Sequence, residues 1–197
     1  VGSDWTDTSL QQKNTTPDEV LKLNQPTKGF LCPITANTAG IQFLSFKIRD
    51  ADNPDKIIFE TSLDSQPEVE ITADMDMDTL RQIKYTFDKS FLTSRRIGTT
   101  VVFAVGEQPV HNFRMIERHY FKNTLLKSFD FNFHFCIPQS TNSWECIYEM
   151  PKLDKKQVDD MMNMPYETKS DSFYFINDGE MIMHNKASYK FVDTSKQ

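Results

Sequence analysis

The chain has 197 residues, a formal net charge of −6 and 25% charged residues, with 16 Phe against 6 Gly. That length suits one domain or at most two small ones, and it buries a sizeable core without disulfides or a structural metal. The acidic balance gives no reason to expect nucleic-acid binding, which wants a basic face, and no apolar run approaches the ~20 residues that span a bilayer.

Cys32, Cys136 and Cys146 are odd in number and widely spaced, so they do not read as a disulfide scaffold. With no signal peptide in the sequence, a reducing cytoplasm is expected. The chain opens Val1-Gly2-Ser3 instead of Met, which reads as a truncation or a cloning scar.

Residues 1–15 are polar and lack a hydrophobic period, so they read as a disordered tail ahead of a single domain over 16–197. Thr16-Pro17-Asp18-Glu19 is a helix start, with a capping Thr, Pro at the first helical position and Glu three residues after the cap. Val20, Leu21 and Leu23 dock this short helix on the body, and Pro26 stops it. From about residue 40 the period is two. Strands are expected over 41–48, 57–63, 69–71, 83–87, 100–105, 112–121 and 125–137. A helix then starts at Asp154, where Gln157 completes a capping box and Leu153 with Val158 makes a hydrophobic staple; Pro165 ends it. Strands 173–176 and 181–184 flank Asn177-Asp178-Gly179, a hairpin turn, and a last strand runs over 189–192. This all-β pattern predicts an antiparallel β-sandwich with short helices.

Two strands carry the candidate chemistry. Phe129, Phe131, Phe133 and Phe135 alternate with polar residues, so four rings are expected on one face. They are either sandwich core or the wall of an apolar cavity. On the preceding strand Phe113, Met115, Glu117, His119 and Phe121 share a face. A buried Glu needs a reason. The pair satisfies itself or nearby backbone, or a β-bulge turns it to solvent, or it forms a polar collar at the mouth of an apolar pocket.

Other patterns are weak. Asp74-Met75-Asp76-Met77-Asp78 resembles the start of a calcium loop, but Thr79 and Tyr85 stand where such a loop wants Gly and Glu; a solvated acidic loop is expected. The four His show no zinc spacing with the Cys, and no phosphate loop or nucleophile elbow is present. With no nucleophile near Glu117 and His119, an enzyme is not expected.

Five blocks are specific: FKIRD at 46–50, FRMIERHYF at 113–121, LLKSFDFNFHFCIP at 125–138, PYETKSDSFYF at 165–175 and MHNKASY at 183–189. Together they resemble the GMP phosphodiesterase delta subunit family, and more closely its "uncoordinated" branch of myristoyl-binding solubilising factors. The resemblance runs from about residue 16 to the end. It implies an immunoglobulin-like sandwich with an apolar lipid pocket between the sheets, no cofactor and no metal. It implies Tyr85, Phe91, Phe129, Phe133, Tyr174 and Tyr189 on or near an acyl chain, and Glu117 and His119 at the lipid–peptide junction. Implied cargo is the myristoylated N-terminus of G protein α subunits and similar ciliary proteins, released by an Arf-like small GTPase in its GTP form. The implied location is the cytoplasm, including cilium and neuronal processes. The alternative is an adaptor that recruits partners through strand edges or the N-terminal tail without lipid.

Overall fold

The computed structural model describes residues 14–65 and 76–196. The tail expected over 1–15 lies mostly outside the described residues, as do the strand expected over 69–71 and the first part of the acidic loop. The described strands are β1 (Gln42–Asp50), β2 (Ile57–Ser62), β3 (Gln82–Asp88), β4 (Arg96–Ala104), β5 (Val110–Phe121), β6 (Thr124–Cys136), β7 (Thr141–Glu149), β8 (Thr168–Ile176) and β9 (Glu180–Val192). They form two facing sheets, ordered β2-β1-β4-β7 and β3-β9-β8-β5-β6. The fold is therefore a β-sandwich, as expected. Every pairing is antiparallel except β3 with β9.

Helices α1 (Pro17–Val20), α2 (Ser90–Thr93) and α3 (Lys155–Asn163) are short. The capping boxes read from the sequence are present. Thr16 N–H donates to Glu19 Oε2 at 2.8 Å, and Gln157 N–H donates to Asp154 Oδ1 at 2.8 Å. The β8–β9 turn uses Asn177 and Asp178 at φ 50 and 65, a left-handed conformation that Asn and Asp tolerate.

Three expectations need correction. β7 was not anticipated: Trp144, Cys146 and Tyr148 face inward on it, separated by the exposed Glu145 and Ile147. β9 is one continuous strand, not two. The four Phe of β6 do not share a face. Asn112 on β5 has φ 51, which breaks the alternation, so Cys136 and Val110 turn into the core while Phe135 is 48% exposed and packs at a tilt against His111.

The inter-sheet core has two parts. One gathers Phe87, Phe91, Phe129, Tyr148, Met161 and Phe191; the other gathers Ile41, Phe103, Val110, Phe113 and Ile182. The three cysteines are buried and free. A third cluster lies outside the sandwich. Val20, Leu31 and Cys32 cover Ile116, Phe173, Phe175 and Met181 on the outer face of the five-stranded sheet.

That outer cover is anchored by buried polar groups. Thr27 N–H donates to Asp171 Oδ2 at 2.8 Å, and Lys186 Nζ donates to Thr27 O at 2.6 Å and to Asp171 Oδ1 at 2.7 Å. Arg118 donates to Leu23 O, and Arg81 donates to Cys32 O at 2.9 Å while lying over the Phe30 ring. His184 is fully buried: its Nδ1 accepts from Leu31 N–H at 3.0 Å, so Nε2 carries the proton toward Asp171 Oδ1 at 3.2 Å. Both ring nitrogens are thus used by the neutral form. Desolvation by burial lowers the His184 pKa from its ordinary value of 6.5, against the opposing pull of Asp171.

This sets a pH dependence. His184 in the unfolded chain takes up a proton as pH falls below about 6.5, and the folded form resists it, so the unfolded state binds more protons and stability falls toward acid. We expect urea denaturation to show lower stability at pH 5.5 than at pH 7.5. His184→Gln should flatten that difference; an unchanged slope would remove His184 from the cause.

Candidate functional site

Between the two inter-sheet cores lies a cavity of about 260 Å³. Its walls come from eight strands, because inward positions on facing strands meet there, with Thr61 and Ser62 supplied by β2. Phe43 and Phe46 come from β1, Tyr85 from β3, Thr99 and Val101 from β4, and Met115 and Glu117 from β5. Trp144, Cys146 and Tyr148 come from β7, Ser170, Ser172 and Tyr174 from β8, and Ala187 and Tyr189 from β9. On one side the neighbouring strands fall short. β2 ends at Ser62 opposite Ser45, and β3 begins at Gln82 opposite Lys186. Leu63 and Ile83, both exposed, line the cavity at this gap. Among the described residues, this is where it opens.

The cavity is graded along β5. Its middle is polar: Glu117 pairs across the ladder with Ser172 and His119 with Ser170, and Ser170 Oγ lies 2.8 Å from Tyr189 Oη. One layer further, Met115 pairs with Tyr174, and beyond it Phe113 belongs to solid core. Along that direction the lining becomes Phe43, Val101, Tyr174 and Trp144.

Glu117 is held from the opposite sheet. Tyr148 Oη donates to Glu117 Oε2 at 2.7 Å. His119 Nε2 lies 3.1 Å from Glu117 Oε1, within ion-pair range, but it is off hydrogen-bond alignment and has no other partner. Burial acts to raise the Glu117 pKa, but the charge of the neighbouring His119 and hydrogen bonding at the carboxylate, including that from Tyr148, outweigh it and the net shift is downward. The carboxylate is thus ionised at neutral pH, and it acts in turn on its neighbours. Burial first, then the Glu117 charge, push Tyr85 up to about 12 and raise Tyr148, Tyr174 and Tyr189 as well. These phenols stay protonated, and that of Tyr148 donates to Glu117. The same two causes push the Cys146 thiol up to about 12, which leaves it a poor nucleophile.

Of the residues singled out from the sequence, Tyr85, Glu117, Tyr174 and Tyr189 line this cavity. Phe91, Phe129 and His119 line a second void of about 30 Å³ beneath α3, which Tyr189 also touches. Glu117 and His119 therefore stand side by side between the two spaces. They do not form a collar at the Leu63–Ile83 opening, and the β5–β6 register shift falls after His119, so it does not turn them to solvent. Phe133 lines neither space; it packs against Phe103 and Trp144, behind the cavity wall. The sequence reading missed Phe43, Phe46, Val101, Trp144 and Tyr148. The inward alternation of Trp144, Cys146 and Tyr148 on β7 was the signal available for two of these.

Among the described residues, no group of three or more His, Cys, Asp or Glu is placed to hold a metal ion, and no helix is long and apolar enough to cross a membrane.

The family model described as "GMP-PDE, delta subunit" matches residues 35–191. The chain is similar to "Protein unc-119" of Caenorhabditis briggsae, 47% identical over 188 residues that cover 94% of this chain and 84% of that protein. It is similar to "Protein unc-119 homolog B" of Danio rerio, at 48% identity over 91% of this chain and 74% of that protein. The human "Protein unc-119 homolog B" is 45% identical over 97% of this chain and 78% of its own length. The chain belongs to the GMP-PDE delta subunit family, whose members support a lipid-binding, solubilising role in general.

The Tyr148–Glu117 bond gives a direct test of the site's electrostatics. Tyr148→Phe removes a hydrogen bond to a buried charge, worth about 1.5–3 kcal/mol. Urea denaturation at pH 7.5 should show a loss in that range. No measurable loss would mean that Glu117 does not depend on this donor.

Proposed function

We propose that this family member is a non-enzymatic carrier that takes the N-terminal myristoyl group of lipidated proteins into the cavity between its sheets. Residues 16–197 act as one lipid-binding unit. The carrying observation is Glu117, an enclosed carboxylate with His119 beside it, in a cavity lined mainly by aromatic and aliphatic side chains and hydroxyls. An acyl chain wants apolar walls, whereas the amide that joins it to a peptide offers N–H donors and a C=O acceptor. The Glu117 carboxylate, already fixed by Tyr148, accepts from the amide and the following peptide N–H groups. His119 Nε2, without an aligned partner, donates to a carbonyl. The acyl chain then runs from this polar middle toward Phe43, Val101, Tyr174 and Trp144.

Burial of a CH₂ contributes about 0.8 kcal/mol, so a myristoyl chain has roughly 10 kcal/mol to gain from such a shelter. One myristoyl chain binds a bilayer only marginally and reversibly, so a carrier of this kind competes with membranes. On this reading the cargo is G protein α subunits and similar ciliary proteins, carried through cytoplasm, cilium and neuronal processes. A GTP-bound Arf-like small GTPase releases it by binding the cargo-free state better.

Three outcomes are expected. In fluorescence titrations a myristoylated Gly-peptide should bind at least a hundredfold more tightly than its unmodified form, since most affinity is apolar burial; equal affinities would sink the carrier. Glu117→Ala should weaken the myristoylated peptide by about 1–3 kcal/mol and a free fatty acid far less, because the fatty acid lacks the N–H and brings its own negative charge. Equal losses for both ligands, with the melting temperature unchanged, would show that Glu117 does not read the amide. Saturating GTP-loaded GTPase should lower cargo affinity by the same factor by which cargo lowers GTPase affinity; no change in either would exclude this route of release. The adaptor reading rests on β6 and β7, both edge strands, and it predicts equal binding of lipidated and unlipidated partners.

A further inference from the structure

We infer that Trp144 is the stop that sets how long an acyl chain this protein accepts. The inference rests on the carrier reading and adds to it a residue that determines specificity. From Glu117, where the amide is read, to Phe113, where solid core begins, is four residues along β5, about 13 Å at ~3.4 Å per residue. That span is of the order of a medium-length acyl chain, and Trp144 stands at its end. Its indole packs on Phe113 with ring centroids 5.7 Å apart and on Phe133 at 5.6 Å.

Trp144 is also placed so that it cannot retreat. Phe113 is fully buried, stacks on Tyr174 and packs at a tilt against Phe103. Trp144 and Tyr174 pack against both inter-sheet cores, so they mark the boundary between the cavity and the core beyond it. The strand that carries Trp144 is pinned as well. Glu145 accepts from Arg49 Nη2 at 2.5 Å across β4, over Gly98, where an added Cβ would lie 3.1 Å from Arg49 Nε. Val101 is the ladder partner of Trp144 and lines the cavity beside it. A chain that outgrows this end must displace an aromatic ring stacked on buried rings, or stay partly outside and lose burial.

The test is a chain-length series on one peptide, acylated with lauroyl, myristoyl, palmitoyl or stearoyl groups and titrated against wild type and variants. While space lasts, each methylene strengthens binding about fourfold. Wild-type affinity should rise and then stop rising or fall as the chain outgrows the cavity. Trp144→Ala should move that turning point to a longer chain by two carbons or more, so that the ratio of the next longer acyl group to the wild-type optimum rises about fifteenfold. Trp144→Leu should move it less. Val101→Phe, which adds bulk at the same end, should move it toward lauroyl. Melting temperatures accompany each titration. If Trp144→Ala fails to fold, Trp144→Leu and Val101→Phe decide. A turning point that stays put in folded variants overturns the stop while leaving the carrier reading intact. A wild type with no preference for acylated peptide overturns the carrier reading itself.

Discussion

A space between two apolar sheets tends to close, and everything else in this molecule depends on its staying open. At about 24 cal/mol per Å³, a dry 260 Å³ cavity would cost about 6 kcal/mol, which is comparable to the whole stability of many domains. The sheets are kept apart by rings that cannot flatten. At one end Phe103, Phe113, Phe133 and Trp144 interlock. At the other Phe87, Phe91, Tyr85 and Tyr189 stack in a continuous series. Small aliphatic side chains in these places would let the sheets settle together. The excess of Phe over Gly in the composition is the sequence-level trace of this need, and the cost of the empty state is the same free energy that favours an apolar occupant.

The five-stranded sheet solves a second problem. Four of its strands, β3, β5, β8 and β9, contribute to the cavity on one face, so the other face of β5, β8 and β9 must be covered by something else. Residues 15–36 do this with few apolar side chains, helped by the Asp171–His184–Lys186 group beneath them. Removing one member of such a buried group leaves a charge or a donor uncompensated, so the cover is specified by registry as well as by area. Asp171 and Ser172 are consecutive, and so are Asn185 and Lys186. The polar middle of the cavity and the polar anchor of the cover therefore share the same backbone.

Much of this was legible in the sequence where side-chain parity holds. The face carrying Phe113, Met115, Glu117 and His119 came directly from period two, the two capping boxes came from the spacing of Thr16 with Glu19 and of Asp154 with Gln157, and Tyr174 was implied by the family resemblance alone. Parity misled at Phe135, because a left-handed Asn112 on the neighbouring strand breaks the alternation, and an Asn within a strand pattern permits such a break without requiring it. β7 was hidden because its three inward hydrophobic side chains are separated by the exposed Glu145 and Ile147. Phe133 and Trp144 illustrate a different limit. Both point into the sandwich from adjacent edge strands, and only the packing decides which of the two rings reaches the cavity. Asp171 was invisible for another reason: a charged residue on an outward face reads as solvated until the chain that buries it is known.

The parallel pairing of β3 with β9 joins strands about a hundred residues apart in sequence, and β9 lies between β3 and β8. The sheet therefore cannot close in the order in which the ribosome delivers it. Tyr85 and Phe87 emerge early and wait for Tyr189 and Phe191, their neighbours across the ladder, while the strands between are made. Such non-local pairing slows folding and leaves aromatic surface uncovered on the growing chain. The wall of the cavity is thus completed only by the last strand to be synthesised. A nascent molecule has no shelter to offer an acyl group until β9 has docked, which separates, in time, the making of the carrier from any engagement with what it carries.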